Sequence, residues 1–122
     1  VIDDVGNYIG GMIIPGIRLA TEALSKQTSQ LPHISLEAPK KIMGTNTIDC
    51  MKSGAVFGNA AMLDGIIERV EEELGQKATV VATGGLTSCV VPHCKHKIIC
   101  DKDLLLKGLF IIYNKNVKRI KK

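Results

Sequence analysis

Three short segments rich in glycine or threonine carry the residue types that would contact a ligand. The segment 10–16 has a Gly-Gly pair and a Pro-Gly pair, 44–47 reads Gly-Thr-Asn-Thr, and 83–85 reads Thr-Gly-Gly. Glycine lets a backbone approach a ligand more closely than a Cβ atom would allow. Taken singly, a bulge with a tight turn is the commoner explanation for 10–16, a tight turn explains 83–85 at least as well as a ligand site, and helix capping is the default for 44–47.

Two of the segments have a defined chemistry. Gly84 and Gly85 follow an apolar run and precede a short helical pattern, where free backbone amides and the positive end of a helix dipole suit phosphate or ribose oxygens. Thr47 opens a long helical pattern. Its hydroxyl is available either as the N-cap of that helix or as a hydrogen-bonding group for a ligand.

The elements that must position these segments alternate between strand and helix, which predicts an α/β domain with some parallel strand pairing. The hydrophobic periodicity and the breakers predict the following order. A strand spans 7–14, a helix runs from Ile17 to before Pro32, a connection spans 33–45, and a long helix from Thr47 to Leu74 is closed by Gly75. They are followed by a strand at 78–83 of the kind buried on both faces, a short helix from Leu86, a strand at 97–100 and an amphipathic helix at 103–114.

The charge pattern argues against nucleic acid and membrane as partners. Five of the 16 basic residues lie in 115–122, which leaves 11 basic against 12 acidic residues in the body of the chain. Aromatic residues are not interleaved with clustered basic ones, so a stacking platform is not expected. No apolar run reaches the roughly 20 residues that cross a bilayer. We therefore expect one soluble domain over 1–116, followed by a solvated basic tail over 117–122.

Four cysteines, Cys50, Cys89, Cys94 and Cys100, are spaced irregularly. Neither a secretory signal nor a small disulfide-stabilised core is indicated, which favours reduced thiols and a cytoplasmic location. The stretch from Cys89 to Cys100 also holds two histidines, yet its gaps do not match paired C-x₂-C zinc sites. A metal site at Cys89, Cys94 and Cys100 stays open as an alternative to a structural role, in which the cysteines are small buried hydrophobic residues and the two histidines lie on the surface.

The order of the motifs is more specific than any one of them. Gly-Gly-x-Ile-x-Pro-Gly over 10–16 is followed by Leu-Pro-x-Ile over 31–34, by Pro-Lys-x-x-x-Gly-x-Asn-Thr and Ser-Gly over 39–54, and by Thr-Gly-Gly-Leu over 83–86. Together with the terminal pattern Leu104 to Asn116, this series resembles the C-terminal half of the type III pantothenate kinases. We accordingly expect an N-terminal portion to be missing.

The resemblance implies half of an actin-like ATPase (ribonuclease H-like) fold, with a mixed sheet flanked by helices. It implies a cytoplasmic, homodimeric kinase that uses ATP to phosphorylate pantothenate to 4'-phosphopantothenate, the first step of coenzyme A biosynthesis. A divalent cation (Mg²⁺) and a monovalent one (K⁺ or NH₄⁺) are implied as cofactors, with both sites mainly in the N-terminal half. Together with the apolar stripe of residues 56–74, this dimerism predicts self-association through the long helix or its neighbours.

The resemblance transfers to few residues of this chain. Thr47 matches the pantothenate-contacting threonine, and Gly84 and Gly85 match the nucleotide-side glycine pair. The D-x-G-N-T phosphate loop and the catalytic aspartate of G-x-D-R do not occur, so no catalytic residue or metal ligand is assigned and the chain alone is predicted to be inactive. Gly6-Asn7 is interpreted as a hairpin turn, and Asp3 and Asp4 are given no role.

Two other functions remain open on the sequence. Another actin-like kinase or ATPase half-domain would account for Thr-Gly-Gly but not for the segment 44–47. A non-catalytic transcription accessory relative would share the fold and lack the kinase motifs upstream.

Overall fold

The computed structural model describes residues 1–28 and 30–120. They fall into two compact units, Val1–Ile34 and Ser35–Lys122.

The first unit opens with a hairpin whose turn is organised by Asp3. The Asp3 carboxylate accepts hydrogen bonds from the backbone N–H of Val5 at 3.1 Å and of Asn7 at 2.7 Å. Gly6 takes a φ of +90°, which favours glycine, and Ile2 pairs with Tyr8 in an antiparallel bridge. The predicted turn at Gly6-Asn7 is confirmed, and Asp3 has a structural role that the sequence did not reveal.

The strand predicted for 7–14 is wrong beyond Tyr8. Its partner in the hairpin is 1–3, so the pairing ends near Gly10, whose carbonyl accepts from the N-terminal ammonium of Val1. An extended segment becomes a strand only where a second strand accepts its hydrogen bonds. Helix α1, Ile17–Gln27, then begins after Gly16 as predicted.

The second unit is built on one long helical run, as predicted, but the run is not uniform. Helix α2, Thr47–Ser53, leads into a π-helical turn, Gly54–Gly58, and then into helix α3, Asn59–Leu74. Gly75 ends α3 with a φ of +66° and donates its N–H to the carbonyls of Glu71 and Glu72. The predicted glycine cap is therefore confirmed.

The predicted parallel pairing is confirmed. Strand β1, Val80–Ala82, pairs in parallel with strand β2, Ile98–Cys100, and Val81 lies opposite Ile99. Burial of the first strand on both faces was wrong, because Val81 is 46% exposed in a sheet that has only these two strands among the described residues. The connection contains helix α4, Thr87–Val90, as predicted, followed by a 3₁₀ turn over Val91–His93.

Helix α5, Leu104–Ile120, is longer than the predicted helix at 103–114. It continues through most of the predicted basic tail, while residues 121 and 122 lie outside the described residues. No helix in the part of the chain that the structure describes is both long and apolar enough to cross a membrane.

The core of the second unit lies where α2, the π turn, α3 and α4 meet. Its buried apolar residues are Met51, Ala55, Val56, Ala60, Ile67 and Val90. The apolar stripe of 56–74, expected to drive self-association, is therefore directed into this core, with Leu63, Val70 and Leu74 half-buried. It does not form an exposed apolar face.

Candidate functional site

Thr47 is the first residue of α2, but it is not the cap. The N-cap is Asn46, whose side-chain oxygen accepts a hydrogen bond from Asp49 N at 2.9 Å. The Asn46 side-chain amide in turn donates to the Asp49 carboxylate at 2.9 Å. The residue pattern Asn-x-x-Asp carried this signal, because a capping residue followed three positions later by an acidic one marks a helix start.

The hydroxyl of Thr47 is thus not needed to begin the helix. Thr47 is exposed, and its hydroxyl makes no hydrogen bond to another residue in 1–28 or 30–120. The sequence predicted either a capping role or a ligand-binding role for Thr47, and the structure shows that Asn46 is the cap. The hydroxyl remains available to a ligand.

The segment that leads into Thr47 is fastened to α2 by three side chains. The Cys50 thiol donates to the Gly44 carbonyl at 3.3 Å, the Ser53 hydroxyl donates to the Ile42 carbonyl, and Lys52 lies 3.6 Å from Glu37. Cys50 therefore has a structural role here. These contacts fix the backbone on the N-terminal side of Thr47.

Gly44 is required by this close packing. A Cβ atom at Gly44 would lie 2.4 Å from Cys50 N and 2.7 Å from the carbonyl carbon of Asp49. Both atoms belong to the backbone, so they cannot move aside as the end of a side chain can. The glycine of the Gly-Thr-Asn-Thr segment therefore serves close backbone approach within the fold.

Gly84 and Gly85 lie just beyond the carboxyl end of β1. Gly84 has a φ of +108°, and its carbonyl accepts from the Thr87 hydroxyl at 2.8 Å. Both glycines are exposed, and the space where a Cβ would stand is open at each. The backbone of this pair is accessible to a bound molecule.

Because β1 and β2 are parallel, their carboxyl ends share one edge, and Asp101 N donates to the Ala82 carbonyl at 2.9 Å. In open α/β sheets ligands bind at this edge. Asp101 itself is occupied, since its carboxylate accepts from Lys107 Nζ at 2.7 Å and from Asp103 N. The Lys107 hydrogen bond lowers the pKa of Asp101 and keeps it ionised.

The backbone just before each strand is hydrogen-bonded to a buried carboxylate of α3. Glu71 accepts from Ala78 N at 3.0 Å and from Lys77 Nζ at 2.6 Å, just before β1. Asp64 accepts from the backbone N–H groups of Lys95 and His96 at 2.8 to 3.0 Å, just before β2. The two acids are seven residues apart, which places them on one face of the helix.

Asp64 is 6% exposed and also accepts from His96 Nδ1 at 2.9 Å. Burial by itself raises the pKa of Asp64, but the hydrogen bonds from Lys95 and His96 outweigh it and lower the pKa below its ordinary value. The sequence interpretation treated His96 as a surface histidine. That was wrong, because its side chain is only 23% exposed.

The cysteines do not gather at a metal-binding position. All four are free thiols, and Cys50 and Cys100 are exposed rather than buried. Cys94 lies against α3, where burial raises the pKa of its thiol. Across the described ranges 1–28 and 30–120, no three His, Cys, Asp or Glu side chains group closely enough to hold a metal ion.

The segments of Thr47 and of the glycine pair are linked through helices. Helix α4, which begins two residues after Gly85, packs against the π turn that follows α2. No hydrogen bond joins Thr47 to either glycine in the part of the chain that the structure describes.

The comparisons with known proteins agree with the motif order. A family model described as type III pantothenate kinase matches residues 1–69. Curated proteins named type III pantothenate kinase are similar to most or all of the chain: that of Acholeplasma laidlawii is 43% identical over 89% of it, and that of Koribacter versatilis is 41% identical over 100%. That of Halalkalibacterium halodurans is 41% identical over 96%.

These alignments cover most of this chain but a much smaller share of each relative. The alignments span 44%, 44% and 46% of those three relatives, so the chain covers less than half the length of the curated proteins it matches. The family model nevertheless covers more than half of this chain. The chain belongs to the type III pantothenate kinase family.

Proposed function

We propose that this chain forms part of an ATP-dependent kinase that phosphorylates pantothenate to 4'-phosphopantothenate, the first step of coenzyme A biosynthesis. The observation that carries the proposal is the exposed Thr47 hydroxyl, left available because Asn46 caps the helix. The names of its relatives supply the reaction class. The chain would contribute a substrate contact and one wall of the site.

Within that kinase the residues of this chain bind and orient. Thr47 hydrogen-bonds pantothenate, and the open backbone at Gly84 and Gly85 admits the nucleotide at the carboxyl edge of the sheet. ATP supplies the γ-phosphoryl group for in-line transfer to the pantothenate hydroxyl. The phosphate loop and the aspartate that accepts the hydroxyl proton belong to the part of the longer protein that precedes this segment.

Within residues 1–28 and 30–120, no group of His, Cys, Asp or Glu side chains would hold the expected cations. The buried or ion-paired acids are already committed to N–H donors: Asp64 to Lys95 and His96, and Asp101 to Lys107. We therefore place Mg²⁺ and the monovalent K⁺ or NH₄⁺ with the other half. This chain takes no step of the reaction through a metal.

The remaining parts of the proposal rest on the resemblance. Residues 1–116 would be the C-terminal domain of an actin-like ATPase fold, in a cytoplasmic homodimer. The partner copy would contact the neighbours of the long helix, because Val56, Ala60 and Ile67 of the stripe are buried.

The chain alone is expected to lack kinase activity, because the groups that hold phosphates and accept the proton lie outside it. The measurement is ATP-dependent formation of phosphopantothenate by the purified chain, with the longer polypeptide from the same gene as the positive control. Robust turnover by the chain alone would refute the assignment of those groups to the other half.

Thr47→Ala in the longer protein is expected to raise the KM for pantothenate about 2- to 12-fold, which corresponds to roughly 0.5 to 1.5 kcal/mol for one neutral hydrogen bond. Thermal stability and the KM for ATP should change little. The matched control is Asn46→Ala, which removes the cap and should lower the free energy of unfolding by about 0.5 to 2 kcal/mol. If Thr47→Ala lowers stability and leaves the KM for pantothenate unchanged, Thr47 is not a substrate contact.

A further inference from the structure

Helix α5 was predicted to be amphipathic, but in its first ten residues it is apolar around most of its circumference. Only Lys107 and Gly108 interrupt the apolar residues between 104 and 113. With about 100° between successive residues, these side chains cover roughly 260° of the helix surface. A soluble helix packed on one side needs an apolar stripe of only about 100°, whereas a helix that is apolar all round is an interior helix.

These side chains are not covered by the rest of their own unit, Ser35–Lys122. Leu105 is 68% exposed and Phe110 is 66% exposed, and the other large apolar residues of this stretch are also exposed. Leu104 and Ile111 lie on one side of the helix, and Leu106 and Tyr113 lie on the nearly opposite side. Exposed apolar surface of this extent marks a contact surface.

Because α5 is apolar on two opposite sides, its coverage by a second copy of the chain can be distinguished from coverage by another part of the same polypeptide. A second copy related by a two-fold axis approaches through one self-complementary patch, so it would cover one side of α5 and leave the other exposed. The curated relatives, in contrast, are more than twice as long as the part of them that this chain matches. A further domain's worth of the same polypeptide is long enough to surround the helix.

We propose that α5, over residues 104–113, is an interior helix of the longer protein, covered on both sides by the part of the polypeptide that its relatives have and this chain lacks. The proposal rests on family membership and not on the kinase activity. Since α5 begins at the carboxyl edge of the sheet, the covering part would lie beside Gly84 and Gly85.

The test is hydroxyl-radical footprinting of the longer polypeptide from the same gene, read by mass spectrometry at Leu104, Ile111, Phe110 and Tyr113. We expect oxidation on both sides of α5 to be several-fold slower than the intrinsic reactivity of these residues. The protection should not change on dilution through any monomer–dimer equilibrium, as followed by sedimentation. Rapid oxidation of either side would overturn the proposal, and so would protection that disappears together with a dimer.

Two variants give a second readout. Ile111→Lys and Tyr113→Lys each place a charge on one of the two sides, and each should lower the Tm of the longer protein by at least about 5 °C. The matched control is Glu73→Lys, which introduces the same lysine at an exposed position of α3 and should leave the Tm nearly unchanged. An unchanged Tm in either lysine variant contradicts coverage of that side, and a variant that fails to fold leaves the footprint of the unaltered protein as the deciding result.

Discussion

Replacing Asp64 by alanine is expected to lower the free energy of unfolding by about 1 to 3 kcal/mol, the range for leaving hydrogen-bond donors without their acceptor. The substitution leaves the N–H groups of Lys95 and His96 and the imidazole Nδ1 without the acceptor that satisfies them. These donors are partly buried, so water can replace the lost acceptor only in part. Denaturant unfolding monitored by circular dichroism measures the loss.

Two variants separate the charge from the geometry. Asp64→Asn keeps one acceptor oxygen and should recover part of the stability. Glu68→Gln is the matched control, because Glu68 lies 4.0 Å from His96 Nε2 and is more than half exposed, so its loss should cost at most about 1 kcal/mol. If Asp64→Ala proves as mild as Glu68→Gln, the carboxylate does not hold the turn before β2.

The same carboxylate predicts a pH dependence with a definite sign. The pKa of Asp64 is lowered in the folded protein, so the folded state keeps its carboxylate ionised where the unfolded chain already binds a proton. Its contribution is complete above about pH 4, the ordinary range of an aspartate, and decreases as the pH falls below it. The decrease should be smaller in Asp64→Asn.

Gly44→Ala is expected to lower the free energy of unfolding by about 1 to 3 kcal/mol or more, the range for forcing an extra group into a packed site. The new methyl would overlap the backbone of Asp49 and Cys50, so either the segment entering α2 or the first turn of α2 must shift. Thermal unfolding of the chain measures the loss of stability. A shift in this segment would also displace Thr47.

The matched control for Gly44→Ala is Gly58→Ala. Gly58 lies in the π turn and has no atom within 4 Å of its would-be Cβ. Alanine at a helical glycine without steric conflict is neutral or stabilising by up to about 1 kcal/mol. Equal destabilisation by the two substitutions would show that the close approach at Gly44 is not the cause.

What the sequence predicted was mostly local. The start of α1 after Pro15-Gly16, the glycine cap at Gly75 and the parallel pairing of β1 with β2 follow from breakers, periodicity and element order, and all three are confirmed. The motif order also indicated the family. The start of α1 and the cap at Gly75 depend on a few neighbouring residues, whereas the parallel pairing and the family follow from the order of elements and motifs along the chain.

What the sequence did not predict depends on partners distant along the chain. Asp64 and Glu71 interrupt an apolar helical pattern, which is typical of acids that face solvent. Their carboxylate oxygens instead accept hydrogen bonds from backbone N–H groups that lie 7 to 32 residues further along the chain. The strand predicted at 7–14 also depends on a partner that local residues do not reveal. Its residues have β propensity, but propensity alone cannot supply a partner strand. The roles of Thr47, Gly84 and Gly85 toward ligands remain predictions.

The π-helical turn Gly54–Gly58 holds one residue more than an α-helical turn of the same span. Because of this extra residue, helix α2 is rotated about the helix axis by about 100° relative to the buried face of α3. In evolutionary terms, a deletion of one codon here would leave an unbroken helix and an intact α3 face. It would, however, rotate Thr47 about the helix axis by roughly 100° relative to that face. Lineages that retain this threonine should therefore retain the length of the turn, so an alignment gap at 54–58 would mark a change in what the threonine contacts.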